Sequence, residues 1–266
     1  MRGRLVLAAI AFAVATASAA GAARPPRTFV WPTSLALEPS GSLLLVENGL
    51  HRLVRVDPRT GMVSELATGL TKPYAVARSR SGTVYFTDAE TILRLGGAAP
   101  ARVASAPEDI GPLAVGQNGD VWFTTSTKLY RVPGGQGRPA VVASGLGGPH
   151  GLAVTSAGTV LVSDTDHNRV LAIDPRTGKT RTLIKVGSPR GLAVAGDGTI
   201  YAVDSTTGRV VHLTATGRRL GLVGPKFADP YALAAGPAGV YVDDTSPVGV
   251  IDLVAPGGKT STLSRT

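Results

Sequence analysis

Residues 149–187, PHGLAVTSAGTVLVSDTDHNRVLAIDPRTGKTRTLIKVG, decide the fold. The stretch reads as four short strands: GLAV, then TVLVSD, RVLAID and TRTLIKV. A Ser-Ala-Gly turn, a polar loop and a DPRTG turn separate them. Aliphatic and β-branched runs punctuated by Gly, Pro, Asn and Asp are the pattern of antiparallel strands. Five further stretches repeat it. The alanine of the first strand recurs as Ala36, Ala77, Ala114, Ala153, Ala193 and Ala234, at spacings of 41, 37, 39, 40 and 41. A turn glycine follows each after five residues: Gly41, Gly82, Gly119, Gly158, Gly198 and Gly239. A unit of four strands repeated every ~40 residues predicts an all-β, six-bladed β-propeller, since a lone blade cannot bury both its faces.

The chain begins MRGRLVLAAIAFAVATASAAGAARPP. Arg2 and Arg4, a short apolar run and the small residues Ala17-Ser18-Ala19 predict a secretory signal peptide over 1–23. Residues 24–266 are then one propeller domain in an exported, extracytoplasmic protein, with no stable membrane span after cleavage. The 266 residues contain no cysteine, which excludes disulfides, a thiolate metal site, a cysteine nucleophile and a lipidated N-terminal cysteine. The net charge of +9 comes without a basic run or aromatic interleaving. Nucleic acid is therefore not an expected partner. The DPRTG turns, Asp57–Gly61 and Asp174–Gly178, are expected to be structural. The segment around Phe29 is expected either to lead in or to clip the last blade.

Three residues before each anchor alanine stand Thr33, Tyr74, Gly111, His150, Arg190 and Tyr231. In a propeller they ring the mouth of the central channel. Two tyrosines, a histidine and an arginine in such a ring predict binding of a small polar or anionic ligand, with Arg190 forking to a carboxylate or phosphate. A cell-surface polymer or protein is the other partner considered. A second set, Glu47, Asp88, Asp164, Asp204 and Asp244, ends the second strands. Arg52, Arg169 and Arg209 follow three of these acids by five residues, so the set reads as ion pairs stapling hairpins, with a calcium ring as the alternative. Asp243 and Asp244, being adjacent in a strand, point to opposite faces and do not share an ion. No HExxH, GxSxG or phosphate-binding loop is present.

The phrases PHGLAV…GTVLVSDTDHNRVLAID and PRGLAV…GTIYAVDSTTGRVVHL resemble NHL repeats, and the likeness runs through nearly all of 32–266. More broadly the chain is similar to senescence-marker/gluconolactonase-type propellers and to streptogramin (virginiamycin B) lyases, whose WFT phrase is matched at Asp120-Val121-Trp122-Phe123-Thr124. The gluconolactonase resemblance implies a divalent cation, calcium or magnesium, at the channel mouth. There an asparagine of that family falls on His150, an aspartate on Arg190 and a glutamate near Thr33. The lyase resemblance implies a cation-dependent lyase or ester hydrolase with His150 as general base, for which Glu108 and Asp109 are the nearest candidate metal carboxylates. Amidating NHL lyases use several channel histidines, of which His150 alone has a counterpart.

Overall fold

The computed structural model describes residues 29–97, 99–245 and 249–263. The expected leader, 1–23, lies outside them. Six four-stranded antiparallel sheets form, each with its strands in chain order from the inside outward. The innermost strands are Pro32–Leu37, Pro73–Arg78, Leu113–Val115, Gly151–Val154, Pro189–Val194 and Pro230–Gly236. Each neighbours the next around one axis, and the last neighbours the first, so the six blades close a ring. This is the six-bladed β-propeller that the repeat predicts.

The core is six hydrophobic clusters, one in each seam between adjacent blades. Period-two alternation explains this division. In the second strand Leu43–Glu47, Leu43 and Leu45 pack toward the sixth blade, while Leu44 and Val46 pack toward the second. A second strand is thus apolar on both faces. It reads as a continuous aliphatic run, as any fully covered strand does.

Among the described residues every blade builds its sheet from contiguous chain, and closure exchanges no strand. The expected clip is present in reduced form. Phe29 makes a single antiparallel bridge to Gly249, its N–H donating to the Gly249 carbonyl at 3.0 Å. Its ring is buried in the seam of the first and sixth blades, among Leu35, Val54, Tyr241 and Ile251. Both DPRTG turns are structural, with Asp57 and Asp174 accepting the N–H of Arg59 and Arg176.

The acids that end the second strands have a shared task that the sequence pattern did not suggest. Glu47 accepts the N–H of Val30, Asp88 those of Thr71 and Lys72, Asp164 that of Gly147, and Asp244 those of Ala228 and Asp229. Asp88, Asp164 and Asp244 thus satisfy donors of the linker arriving from the previous blade, and Glu47 one of the lead-in to the first. The arginine pairing is a subset of this: Glu47–Arg52 and Asp164–Arg169 form at 2.7 Å. Asp204–Arg209 does not, which corrects the expectation; Asp204 turns instead to the Thr207 N–H in its own loop. At Asp164, burial pushes the carboxyl pKa up. The Gly147 N–H, Arg169 and His167 outweigh burial and hold it below the usual carboxylate range. Replacing Asp88 by alanine leaves two linker N–H groups without their acceptor. Denaturant melts should show a loss of about 1 kcal/mol, and an unchanged midpoint would assign the caps no net stability.

Candidate functional site

Proline precedes the ring residue in five of the six blades: Pro32, Pro73, Pro149, Pro189 and Pro230. In four of these the register between first and second strands slips just there, between Pro32 and Ser34, Pro73 and Val76, Pro189 and Leu192, and Pro230 and Leu233. A β-bulge takes residues off the ladder and re-aims their side chains. Proline tolerates such a position because it has no N–H to leave unpaired. Thr33, Tyr74, Arg190 and Tyr231 sit inside these bulges. The proline was a sequence signal for the site, and reading only the anchor alanines passed over it.

Thr33, Tyr74, His150 and Tyr231 line the channel. The hydroxyls of Tyr74 and Tyr231 lie 2.7 Å apart and hydrogen-bond, linking the second and sixth blades over the first. Burial raises both phenol pKa values, so both rings stay neutral. The channel has a volume of about 60 Å³. That admits a few waters, whereas sites for drug-sized molecules begin at about 300 Å³. Arg190 does not line it. Its Nη1 donates to Asp229 Oδ1 at 2.6 Å and its guanidinium lies 5.1 Å over the Tyr231 ring. Asp229 is in turn held by the Thr245 hydroxyl at 2.8 Å. The expected anion fork is thus occupied by a neighbouring carboxylate.

His150 also borders, with Gly111, a depression of about 260 Å³ between the second, third and fourth blades. Lys72, Tyr74, Asp109 and Ser126 complete its walls. Lys72 forms an ion pair with Asp109. Glu108 does not line the depression. It accepts the Ser126 hydroxyl at 2.6 Å, which with other neighbours holds its carboxyl below the usual range. Sequence reasoning missed Lys72, Ser126 and Asp229, because their value depends on which blades face one another.

The protonation of His150 follows from its partners. Nδ1 lies 2.8 Å from the Gly148 carbonyl, which can only accept. It also lies 3.1 Å from the Thr165 hydroxyl, whose own proton goes to the Pro189 carbonyl at 2.7 Å. Nδ1 therefore carries the hydrogen, and Nε2 is a lone-pair acceptor with no partner among the described residues. Burial lowers the pKa of this imidazole, and the Arg190 charge adds to the effect. The ring is neutral at pH 7, edge-on to Tyr231 with centroids 6.0 Å apart.

Around this mouth stands an outer tier, five residues before each anchor: Trp31, Lys72, Asp109, Gly148, Ser188 and Asp229. Trp31 is 71% exposed with φ at +47°. A bulky residue rarely takes that left-handed conformation. The Asn48 and Gly49 N–H groups, bonded to the Trp31 and Val30 carbonyls, hold it there.

A divalent cation does not fit the residues at this mouth. The ring presents Thr33, two neutral tyrosines, His150 and a guanidinium, and the nearby carboxylates Asp109 and Asp229 each already hold a cation. Hard cations take several oxygen ligands with net negative charge. Among the described residues no three His, Asp or Glu side chains gather in a metal-binding cluster.

Residues 146–173 match the NHL repeat family. A search of curated protein sequences finds no match. Solved structures place the whole ring among known propellers. Virginiamycin B lyase from Staphylococcus aureus superposes with a TM-score of 0.67 at 16% identity, covering 90% of this chain and 85% of that one. A gluconolactonase from Xanthomonas campestris gives 0.71 at 17% identity, covering 82% and 84%. A calcium-binding regucalcin from Agrobacterium tumefaciens gives 0.69 at 14%, covering 86% and 91%. The chain is thus a six-bladed propeller carrying a recognisable NHL repeat, with the fold of these lyase, lactonase and calcium-binding proteins.

Proposed function

We propose that this propeller binds a small polar ligand at its channel mouth, in the depression between His150, Tyr74 and Lys72. The observation that carries the reading is the fixed tautomer of His150. A neutral imidazole locked with Nε2 as acceptor is prepared for an N–H or O–H of a ligand. Tyr74 forms part of the wall, its hydroxyl bonded to that of Tyr231 in the adjoining channel. An anionic ligand has to displace Asp109 from Lys72, or Asp229 from Arg190, so neutral and zwitterionic ligands are favoured over simple anions. The signal-like start supports an extracytoplasmic setting. N-terminal sequencing of protein recovered outside the cytoplasm, beginning near residue 24, would test it.

The ligand is sought with monosaccharides, their lactones and acids, and amino acids, by thermal shift and tryptophan emission. Trp122 is buried and Trp31 exposed, so a solvent-like emission component reports on the outer tier. A ligand at about 100 times its Kd stabilises by about 2.7 kcal/mol. That shift should vanish in His150→Ala and shrink in Tyr74→Phe. A shift that survives His150→Ala puts the ligand elsewhere and removes the proposal.

The same lone pair favours a second reading, a lyase or hydrolase with His150 as general base. Because its pKa lies below the ordinary imidazole value, the base form persists to lower pH than a free histidine. Activity on lactones or cyclic ester peptides should then hold flat as pH falls through about 6.5. A limb at or above that value would rule out His150 as the base.

A further inference from the structure

A sizeable cavity lies away from the mouth, on the opposite face, in the seam between the fifth and sixth blades. It measures about 620 Å³, within the range of small-molecule sites. Its origin is legible in the repeat. Eleven residues separate Ala193 from Asp204, as in the other blades, but ten separate Ala234 from Asp244. The first hairpin of the sixth blade is thus one residue short, and Ala235-Gly236-Pro237-Ala238-Gly239 gives it almost no side chain. The fifth blade faces this gap with Tyr201 and His212, cross-strand neighbours whose rings stack at 4.5 Å with planes 6° apart. Leu222, Val240 and Val254 add aliphatic wall.

One full charge lines the cavity, the carboxylate of Asp197. Its Oδ1 accepts both the N–H and the hydroxyl of Thr199, which hold its pKa low, and Oδ2 has no partner among the described residues. No lysine or arginine lines the cavity. Grooves elsewhere differ. On the fourth blade one is walled by Arg176, Lys179 and Arg181, and in the third blade Arg131 covers the Trp122 ring at 5.8 Å. Stacked rings, aliphatic walls and a lone anion together select a flat aromatic group that carries a positive charge.

We infer that this seam is a binding site for planar aromatic amines, distinct from the channel mouth. The test uses calorimetric titration with tryptamine and with indole-3-acetate, the same ring with opposite charge. Tryptamine should bind, and indole-3-acetate should bind at least about fivefold more weakly, as one partly exposed ion pair implies. Gly196 has open space where a Cβ would stand and an ordinary φ, so Gly196→Phe fills the cavity without straining the fold. It should abolish tryptamine binding at an unchanged melting temperature. Tyr201→Leu should weaken tryptamine about fivefold through lost stacking, and Asp197→Asn should erase the preference over indole-3-acetate. Equal affinity for the two probes, or tryptamine binding retained in Gly196→Phe, would overturn the inference. So would binding lost in His150→Ala, which would move the amine to the mouth.

Discussion

Gly151→Ala is expected to cost roughly 3 kcal/mol, lowering the melting temperature by about 6–12 °C for a chain of this size. A Cβ at Gly151 would stand 2.1 Å from the Arg190 carbonyl oxygen and 2.8 Å from the Ser163 hydroxyl. The first is backbone of the neighbouring innermost strand and cannot swing aside. Six strands share one axis, so a shift of one is passed to the next. Gly196→Ala is the matched control, with open space at its Cβ and an ordinary φ. It should leave the midpoint unchanged or raise it slightly. Calorimetry on the two variants separates close approach from loss of glycine as such. Equal midpoints would show that the ring relaxes at no cost.

Asp243→Val is expected to stabilise the protein at neutral pH by about 2 kcal/mol. Asp243 is fully buried, and neither carboxylate oxygen has a hydrogen-bond partner among the described residues. At the same place in the first and fifth blades stand Val46 and Val203, both buried. Burial, with Asp244 and Asp229 nearby, pushes the Asp243 pKa well above the usual carboxylate value. The unfolded chain therefore gives up this proton near pH 4 while the folded chain keeps it. From about pH 4 up to the folded pKa, wild-type stability falls by up to about 1.4 kcal/mol per pH unit from this group. Below pH 4 the penalty is absent. The advantage of the valine variant should accordingly be small at pH 4 and grow as pH rises. Asp244, Asp229 and Tyr231, the titratable neighbours, are common to both proteins and largely cancel in the difference. A difference that is flat with pH would mean that the carboxyl ionises as freely folded as unfolded.

How far the sequence carries can be judged residue by residue. The anchor alanines and turn glycines set the blade register, because inner strands must be small and first hairpins need positive φ; Gly41, Gly82 and Gly119 take φ of +89°, +98° and +83°. The same register placed Thr33, Tyr74, His150 and Tyr231 on one channel. It also separated Asp243 from Asp244: the second caps a linker and the first enters a seam. It could not show that Arg190 meets Asp229, 39 residues away, or that Tyr74 meets Tyr231 across 157 residues. Those contacts are set by the curvature of the ring, which no local pattern encodes. Trp31 was legible only as a lead-in residue, since its left-handed φ arises from bonds made to Asn48 and Gly49 in the first blade.

That each described sheet is built from contiguous chain has a consequence for how the ring can be cut and rejoined. A propeller that swaps a terminal strand has one privileged seam, and new chain ends placed elsewhere split a sheet or tether it wrongly. Here every sheet is written by uninterrupted chain. Joining the old ends and opening a linker such as 145–148 or 186–188 would leave all six sheets whole, with the Phe29–Gly249 bridge becoming an ordinary inter-blade contact. Circular permutants of this ring should therefore fold from several starting points.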